Sequence, residues 1–511
     1  MFMVLSAFYF LDYFFEQIYM QTVKVIAKLV NDNSGVFTEI PVLLDKNKEP
    51  IKPLVEYVLN LKRNGKSQST IDKYIKATQL LLEYMTANVT RFNSPQSLFE
   101  SFSSRLYTGT IGDDGLDPSG LYWLPCSKQV ARSHINALSK MTDWLAEKQG
   151  SISINPLVEA DSLTQRLNYA AWFRKNQHNF LGHIKDKHIN STVRYARSVR
   201  GKRPLGKQSL EAIEFPERYF ESFYFDGLGG AIDRRVVLRD QLILLLMHGG
   251  GLRESEALHL WVEDVLIDPS NLNSVKVRIY HPEDGKAPNN WRGRSGKTTR
   301  AAYLKEKYAL SPRNNLMGKK RVGWKSRVTD SKDEYLEVHW FPTVFGEVFA
   351  KLWQDYTRFL TAVERNHPYA FVSFHREHIG NPYTLNAFHD SYRNGLKRIE
   401  LKPCKADGLS PHSHRHSYGR RLSRTGVEAV VIKKCLHHAS LESQAVYTTP
   451  TAKEITNCLN TATQQLMNPT EPVERRSTPS WEVLTEQGFK DIDPDGLLTG
   501  KNPKQGKCNG Y

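Results

Sequence analysis

Hydrophobic residues recur at three- and four-residue spacing in three segments of the first third of the chain. The clearest stripe runs from Ser69 to Met85. A second stripe follows Ser127, a residue type that caps helix N-termini, and a third covers Leu163 to Asn179. The spacing predicts three amphipathic helices and therefore a helical N-terminal domain.

Alternation with period two is confined to short segments. QTVKVIAKL follows Met20, VKVRIY begins at Val275 and LEVHWF begins at Leu336. Each predicts a strand, whereas the continuously apolar LILLLM beginning at Leu242 predicts a buried helix. We therefore predict a mainly α fold with a small antiparallel β-sheet.

The same patterns predict a succession of different domains without internal repeats. Residues 1–50 form an N-terminal segment, 51–184 a helical domain, 185–208 a basic linker, 209–467 a second domain with an insertion at 285–330, and 468–511 a loosely ordered tail. The tail is rich in Pro, Gly, Ser and Asp, which favours little fixed structure.

The apolar start of the chain resembles a signal peptide but lacks a basic leading region. Asp12 and Glu16 also interrupt the apolar run, so we predict neither export nor a membrane span. Met20 is an alternative start of translation, which would leave residues 1–19 non-native.

Charge narrows the class of partner. The 511 residues carry a formal net charge of +16, which favours nucleic acid or, more weakly, an anionic membrane surface. Eight basic residues between Lys185 and Lys207 accompany a single acidic one, and the insertion has thirteen basic against two acidic residues. The first stretch is either a phosphate-contacting strap or a solvated linker. The insertion is a candidate DNA-contacting element, which we expect to extend the hairpin formed by its flanking strands.

Cysteine usage indicates a reducing, cytoplasmic compartment. The five cysteines contain no C-x-x-C pair and their number is odd, so neither a disulfide framework nor a cysteine-based zinc site is predicted.

Three segments of the second domain carry candidate chemistry. In the first, three glycines precede Arg253 and Glu256, so a tight turn can present the guanidinium to a phosphate while the carboxylate braces it. The alternative is a capping turn with a surface Arg–Glu pair.

The second segment, SPHSHRHSYGRRLSRTG, enters a helix through Pro411. His412 and Arg415 are three residues apart and would share one helix face, which suits an acid–base group beside an anion-binding group. Two alternatives are polar residues at a helix start and an H-x-H-x-H metal site. The metal site would need a strand or loop to bring alternate residues together.

The third segment, IKKCLHHASLESQAVYTTP, contains His438 and Tyr447. The intervals from His412 to Arg415, from Arg415 to His438 and from His438 to Tyr447 are three, twenty-three and nine residues. Alone, Tyr447 would be interpreted as one of 23 tyrosines with a packing role.

Taken in order, G-L-R-x-S-E, H-x-x-R-H, L-x-H and Y resemble the tyrosine recombinase (phage integrase) family over about half of the chain. The resemblance implies a two-domain, C-shaped clamp on double-stranded DNA, with the first helical domain as the core-binding domain. It implies an enzyme that cuts and rejoins DNA through a 3′-phosphotyrosine without metal or ATP, in a tetramer and with accessory proteins of a mobile element. The matching catalytic positions are Arg253, His412, Arg415, His438 and the nucleophile Tyr447.

The family also carries a catalytic lysine in a hairpin between the first arginine and H-x-x-R. Lys325, just before the later predicted strand, is our candidate. Lys297, Lys319 and Lys320 are alternatives, and each of these lysines could instead be a surface contact to phosphate. A lysine there can protonate the leaving 5′-oxygen.

Two residues depart from the family pattern. His414 occupies a position that is usually apolar, and His437 replaces a usual glycine. A further helix from Ile455 to Met467 would dock on a neighbouring protomer or pack within its own chain.

Competing functions are a type IB topoisomerase, an inactive DNA-binding regulator on the same fold and, more distantly, a zinc hydrolase. The first shares the residue chemistry but acts without synapsis of two sites. The complete residue set disfavours the second, and the missing aspartate of the dinuclear zinc motif disfavours the third.

Overall fold

A computed structural model provides the coordinates of the protein. It describes residues 22–30, 32–45, 47–89, 91–176, 193–202, 213–327, 330–438, 447, 456, 459–461 and 463. The chain divides into two units, Met1–Val446 and Tyr447–Tyr511. The possible start at Met20, most of the linker and the tail after residue 467 lie outside the described residues.

An antiparallel hairpin and a set of helices form the first part of the first unit. The strands are β1 (Val23–Val30) and β2 (Phe37–Leu44), with Val23 opposite Leu44. The helices are α1 (Lys52–Arg63), α2 (Gln68–Ala87), α3 (Pro95–Thr108), α4 (Lys128–Gln149) and α5 (Ser162–Asn176). Before α5 comes β3 (Leu157–Glu159), which pairs with β4 (Tyr195–Arg197).

Local sequence signals account for these helices. The side chains of Ser67, Ser94 and Ser127 accept hydrogen bonds from backbone N–H groups at the starts of α2, α3 and α4. Apolar faces of α1 to α4 and part of β2 share one hydrophobic core. The three predicted helices are confirmed as α2, α4 and α5, and the strand predicted after Met20 is confirmed as β1.

The second part of the unit is built around a buried helix and a small sheet. Its helices are α6 (Arg234–His248), α7 (Glu254–Ala257), α8 (Arg300–Tyr308), α9 (Val344–Thr361), α10 (Leu385–Arg398), α11 (Pro411–Arg424) and α12 (Ala429–Cys435). Mixed 3-10, α and π turns run from Glu217 to Leu228. The strands are β5 (Val265–Asp268), β6 (Asn271–Tyr280) and β7 (Tyr335–Glu337), in antiparallel order β5-β6-β7.

The predicted buried helix lies at the centre of this part. Every residue of α6 from Val237 to His248 is buried, and α6 packs against α9 and α11. A helix that is apolar on all sides is stable only when other elements surround it. The mainly helical fold with small antiparallel sheets is therefore confirmed, and the domain boundaries stay predictions.

The insertion does not extend the hairpin, so that expectation was wrong. β6 and β7 pair at Arg278 to Tyr280, and the chain between them folds into α8 and short 3-10 turns. Arg300 is 2% exposed, forms a two-pronged ion pair with Asp264 and lies 3.9 Å over the Trp261 ring. A buried pair of this kind anchors the insertion against the sheet, because leaving either charge unpaired is costly.

Two of the thirteen basic residues of the insertion therefore have structural roles. Besides Arg300, Arg313 is buried and donates to the carbonyls of Leu258 and Tyr383. Many of the other basic side chains are exposed. Among the helices of the described part of the chain, none is long and apolar enough to cross a membrane.

Candidate active site

The predicted glycine turn joins α6 to α7 and sets the position of Arg253. Gly251 has a φ of +69°, and a Cβ atom there would lie 2.5 Å from the Tyr418 ring, so only glycine fits. Arg253 immediately precedes α7, a helix of four residues. Its side chain is 21% exposed and accessible to a ligand.

Glu256 is fully buried and holds the guanidinium groups of both candidate arginines. Its Oε1 accepts from the Arg253 guanidinium at 2.6 Å, and its Oε2 accepts from the Arg253 backbone N–H at 2.9 Å. The Arg415 guanidinium lies 3.8 Å from Oε2. Burial alone would raise the pKa of Glu256, but the two arginines and the hydrogen bonds lower it to about 2. The carboxylate thus stays charged and brings the guanidinium groups of Arg253 and Arg415 together. The catalytic roles of the two arginines stay predictions.

Arg415 lies on α11 and is 1% exposed. Its Nη1 donates to the Gly251 carbonyl at 2.5 Å, and its Nη2 donates to the Leu436 carbonyl. The forked guanidinium therefore links the glycine turn, α11 and the end of α12. A planar group with donors on both sides suits this arrangement, which a lysine could not reproduce.

His412 and His438 lie close to the same two arginines. His412 is on α11 and reaches solvent. Its pKa is nevertheless lowered to about 4, mainly by partial burial and secondly by the positive charges of Arg415 and Arg253. His438 follows α12 and is 9% exposed. Its pKa is lowered to about 3, mainly by burial and secondly by the same two positive charges. Both imidazoles are neutral at pH 7 in the absence of a ligand.

The three histidines of H-x-H-x-H lie on two different faces of α11, because His412 and His416 are one helical turn apart and His414 lies between them in the sequence. His412 is exposed and its ring lies 4.6 Å from that of His416, whereas His414 is fully buried. Within the described part of the chain, no group of three His, Cys, Asp or Glu side chains is arranged to hold a metal ion.

His414 belongs to a buried polar chain beneath the site. Arg421 donates to His248 Nε2 at 2.7 Å, a shorter contact than the 3.4 Å from that nitrogen to Glu217. The proton of His248 is therefore on Nδ1, which donates to His414 Nδ1 at 3.1 Å. The proton of His414 is then on Nε2, which lies 2.9 Å from the Tyr392 hydroxyl. Sequence reasoning marked His414 only as a departure, and its role in packing α11 depends on distant partners.

His437 occupies the position of the family glycine with a glycine-like backbone. Its φ is +50°, in the left-handed region that β-carbons disfavour. The ring is buried and its Nδ1 lies 3.3 Å from Asp330, at the end of the insertion. The departure from the pattern therefore preserves the turn before His438.

Lys325 is exposed, and its positive charge contributes to lowering the pKa of His412. Its neighbour Ser326, which sequence reasoning missed, is 8% exposed. The Ser326 hydroxyl donates to Glu256 at 2.7 Å and accepts from Arg253 at 2.9 Å. By contrast, Lys319 and Lys320 lie in a turn whose Gly318 approaches Ile26 of β1.

Tyr447 begins the second unit. It is helical, and its side chain is 3% exposed. The described residues after it, Thr456, Leu459, Asn460, Thr461 and Thr463, are also helical, as expected for the predicted helix from Ile455. Docking of that helix on a neighbouring protomer stays a prediction.

Comparisons with known proteins agree with the residue pattern. Residues 327–454 match the sequence model of the phage integrase family. Transposase A from transposon Tn554 of Staphylococcus aureus is 23% identical over 408 residues, which cover 78% of this chain and 88% of the relative. Tyrosine recombinase XerA of Pyrococcus horikoshii is 26% identical over 257 residues, which cover 50% of this chain and 66% of the relative.

Two solved structures align with this chain at low sequence identity. The XerH site-specific recombinase bound to a palindromic difH substrate aligns with 14% identity and a TM-score of 0.44, covering 80% of this chain and 83% of that one. The Tn1549 transposon integrase in complex with circular intermediate DNA aligns with 14% identity and a TM-score of 0.30, covering 75% and 99%.

The matched segment contains Arg415, His438 and Tyr447 and begins just after Lys325. The match to the Tn554 transposase extends the similarity over most of the chain. Residues 327–454 are thus a phage integrase family domain, and the chain as a whole is similar to transposases and tyrosine recombinases.

Proposed function

We propose that this protein is the site-specific recombinase of a mobile element and exchanges DNA strands by two successive transesterifications. The observation that carries the proposal is the pair Arg253 and Arg415, aligned by the buried carboxylate of Glu256 beside two neutral histidines. The similarity to a transposon transposase supports the mobile element as its genetic context. The action on DNA accounts for the net charge of +16.

The arginine pair is suited to binding the scissile phosphate. A pentacoordinate phosphorane carries more negative charge than the diester from which it forms, so fixed guanidinium donors stabilise it preferentially. Glu256 supports this role by orienting the Arg253 guanidinium, whose side chain retains 21% exposure. His438 supplies a further N–H donor, since its lowered pKa keeps it neutral with one ring proton.

Tyr447 is the proposed nucleophile. A phenol has an ordinary pKa of about 10, so it reacts efficiently only when a base accepts its proton during attack. His412 is neutral because its pKa is lowered, and it can accept that proton. The phenolic oxygen then bonds to phosphorus, and the bond from phosphorus to the 5′-oxygen breaks.

Lys325 is the proposed general acid. The departing 5′-oxygen keeps the electron pair of the broken bond and takes a proton from the Lys325 ammonium, which becomes a neutral amine. Rejoining reverses each step, so a 5′-hydroxyl of the partner strand attacks the phosphotyrosine and returns a proton to Lys325. No water is consumed, and the number of phosphodiester bonds is unchanged.

The proposed partner is double-stranded DNA, bound by the core-binding and catalytic domains as a C-shaped clamp. Synapsis of two sites would require self-association, for which a tetramer is the proposed assembly, with accessory proteins of the element. The exposed basic side chains of the insertion support contacts to DNA flanking the site. The protein would act in the cytoplasm, associated with the nucleoid.

Two plasmids test the proposal. One carries two copies of the element's end junction and the other carries one copy, and both are incubated with protein in excess chelator. We expect recombinant products from the two-site plasmid only, because exchange requires synapsis. Relaxation of the one-site plasmid without recombinants from the other would indicate a topoisomerase, and loss of all activity in chelator would indicate a metal enzyme.

A further inference from the structure

Ser326 is a buried hydroxyl held between two charged groups of the site, directly after the proposed general acid. We propose that Ser326 is a positioning residue for Lys325, and that its two hydrogen bonds fix the direction in which the lysine side chain leaves the backbone. This inference rests on the proposed function, because it assigns Ser326 a role in protonating the leaving 5′-oxygen.

Side chains alternate along the segment that carries Lys325. Val322 is 0% exposed, Trp324 is partly buried against the hydrophobic core and Ser326 is 8% exposed, whereas Lys325 and Arg327 are exposed. In extended chain, successive side chains point to opposite sides. Holding Ser326 inward therefore directs Lys325 outward.

The segment is anchored at its N-terminal end without forming a strand. The Val322 N–H donates to the Arg313 carbonyl at 3.1 Å, and the Val322 carbonyl lies 3.1 Å from His259 Nε2. The Trp324 ring packs edge-on against His259 at 5.7 Å. From Gly323 to Arg327 the described residues form no strand, and the two hydrogen bonds of Ser326 hold the chain directly after the lysine.

Both hydrogen-bonding functions of Ser326 are used. Its hydroxyl donates to Glu256 Oε1 at 2.7 Å and accepts from Arg253 Nη1 at 2.9 Å. Without the hydroxyl, Arg253 would keep its 2.6 Å contact to Glu256 and the 2.9 Å contact from its backbone N–H. Loss of the hydroxyl should therefore leave phosphate binding by Arg253 largely intact and release Lys325.

A sulfur substitution in the DNA separates these two effects. Nicked suicide duplexes of the element's end are made with either the normal bridging 5′-oxygen or a bridging 5′-sulfur at the scissile phosphate. A thiolate leaves without a proton, since thiols have pKa values of about 8.5. Only the oxygen substrate therefore requires the general acid, and the rate of covalent adduct formation is measured on both.

For Ser326→Ala we expect adduct formation about 100-fold slower on the oxygen substrate, because small misplacements of a reacting group carry penalties of that order. On the sulfur substrate its rate should be close to that of wild type. Ser326→Thr keeps the hydroxyl and should resemble wild type on both substrates. The oxygen-to-sulfur rate ratio within one variant does not depend on the fraction of folded protein, so reduced stability would not obscure the result.

If Ser326→Ala were slowed equally on both substrates, the inference would be overturned, because Ser326 would then act through Arg253. If its rate were unchanged on both substrates, Ser326 would have no role in cleavage and the inference would also be overturned. Lys325→Ala is the reference variant, expected to be slowed about 100- to 10,000-fold on oxygen and restored by sulfur. If sulfur restored Lys325→Ala but not Ser326→Ala, only the positioning role would fail. If sulfur restored neither, the assignment of Lys325 in the proposed function would fail as well.

Discussion

Replacing Arg415 with lysine should slow covalent cleavage of a nicked suicide substrate by about 100- to 1,000-fold, the usual effect of removing one preorganised oxyanion donor. Arg415 is 1% exposed, and two different nitrogens of its guanidinium donate to the carbonyls of Gly251 and Leu436. A single ammonium cannot donate to both carbonyls and also face a phosphate. The measurement is the single-turnover rate of adduct formation with enzyme in excess.

Arg424→Lys is the matched control for this variant. Arg424 lies on the same helix, and its guanidinium pairs with Glu214 in a partly exposed position. Its replacement should leave the cleavage rate unchanged, because partly exposed ion pairs contribute little. A wild-type rate for Arg415→Lys would show that the buried guanidinium does not act on the phosphate.

Replacing Glu256 with alanine should destabilise the protein by about 3–5 kcal/mol, as expected when one partner of a buried ionic group is removed. The carboxylate is 0% exposed and accepts from Arg253 and Ser326, with Arg415 3.8 Å away. The free energy of unfolding is measured by urea denaturation. Glu263→Ala is the control, since Glu263 is exposed and such substitutions usually stay within about 0.5 kcal/mol.

The pH dependence of stability gives a second test at the same position, with Glu256→Gln as the variant. The pKa of Glu256 is about 2 in the folded protein, against an ordinary value of 4.5. A carboxyl group with a lowered folded pKa contributes its full stability above the unfolded pKa and loses it as the pH falls through the folded pKa. The difference in unfolding free energy between wild type and Glu256→Gln should therefore shrink from pH 4.5 toward pH 2. If the difference in unfolding free energy stayed constant across this range, the lowered pKa of Glu256 in the folded protein would be contradicted.

Helices and strands whose patterns are local were predictable from the sequence. The stripe beginning near Ser69 and the cap at Ser127 lead directly to α2 and α4, because helix periodicity and capping involve neighbouring residues. The uniformly apolar run beginning at Leu242 likewise predicted a buried helix. For the catalytic motifs, the glycine turn before Arg253 and the resemblance to tyrosine recombinases nominated Arg253 and Arg415, which the fold brings to the same carboxylate.

Features that depend on distant partners were not predictable. The basic composition of the insertion suggested an exposed hairpin, but Arg300 is buried because Asp264, 36 residues away in the chain, neutralises it. Ser326 meets Arg253 across 73 residues, and no local pattern distinguishes it from other serines. His437 stands where the family usually has glycine, yet its φ of +50° lies in the left-handed region that glycine favours. In each case, tertiary contacts decide the role of a residue type that sequence alone leaves open.

The most direct test of the account is to trap and map the covalent adduct. A nicked suicide duplex carrying the element's end is incubated with wild type and with Tyr447→Phe, and any protein–DNA band that resists denaturation is digested and sequenced by mass spectrometry. We predict an adduct with wild type, with the 3′-phosphate on the peptide containing Tyr447, and no adduct with Tyr447→Phe despite unchanged DNA binding. An adduct of equal yield with Tyr447→Phe, or one that maps to another residue, would contradict the account.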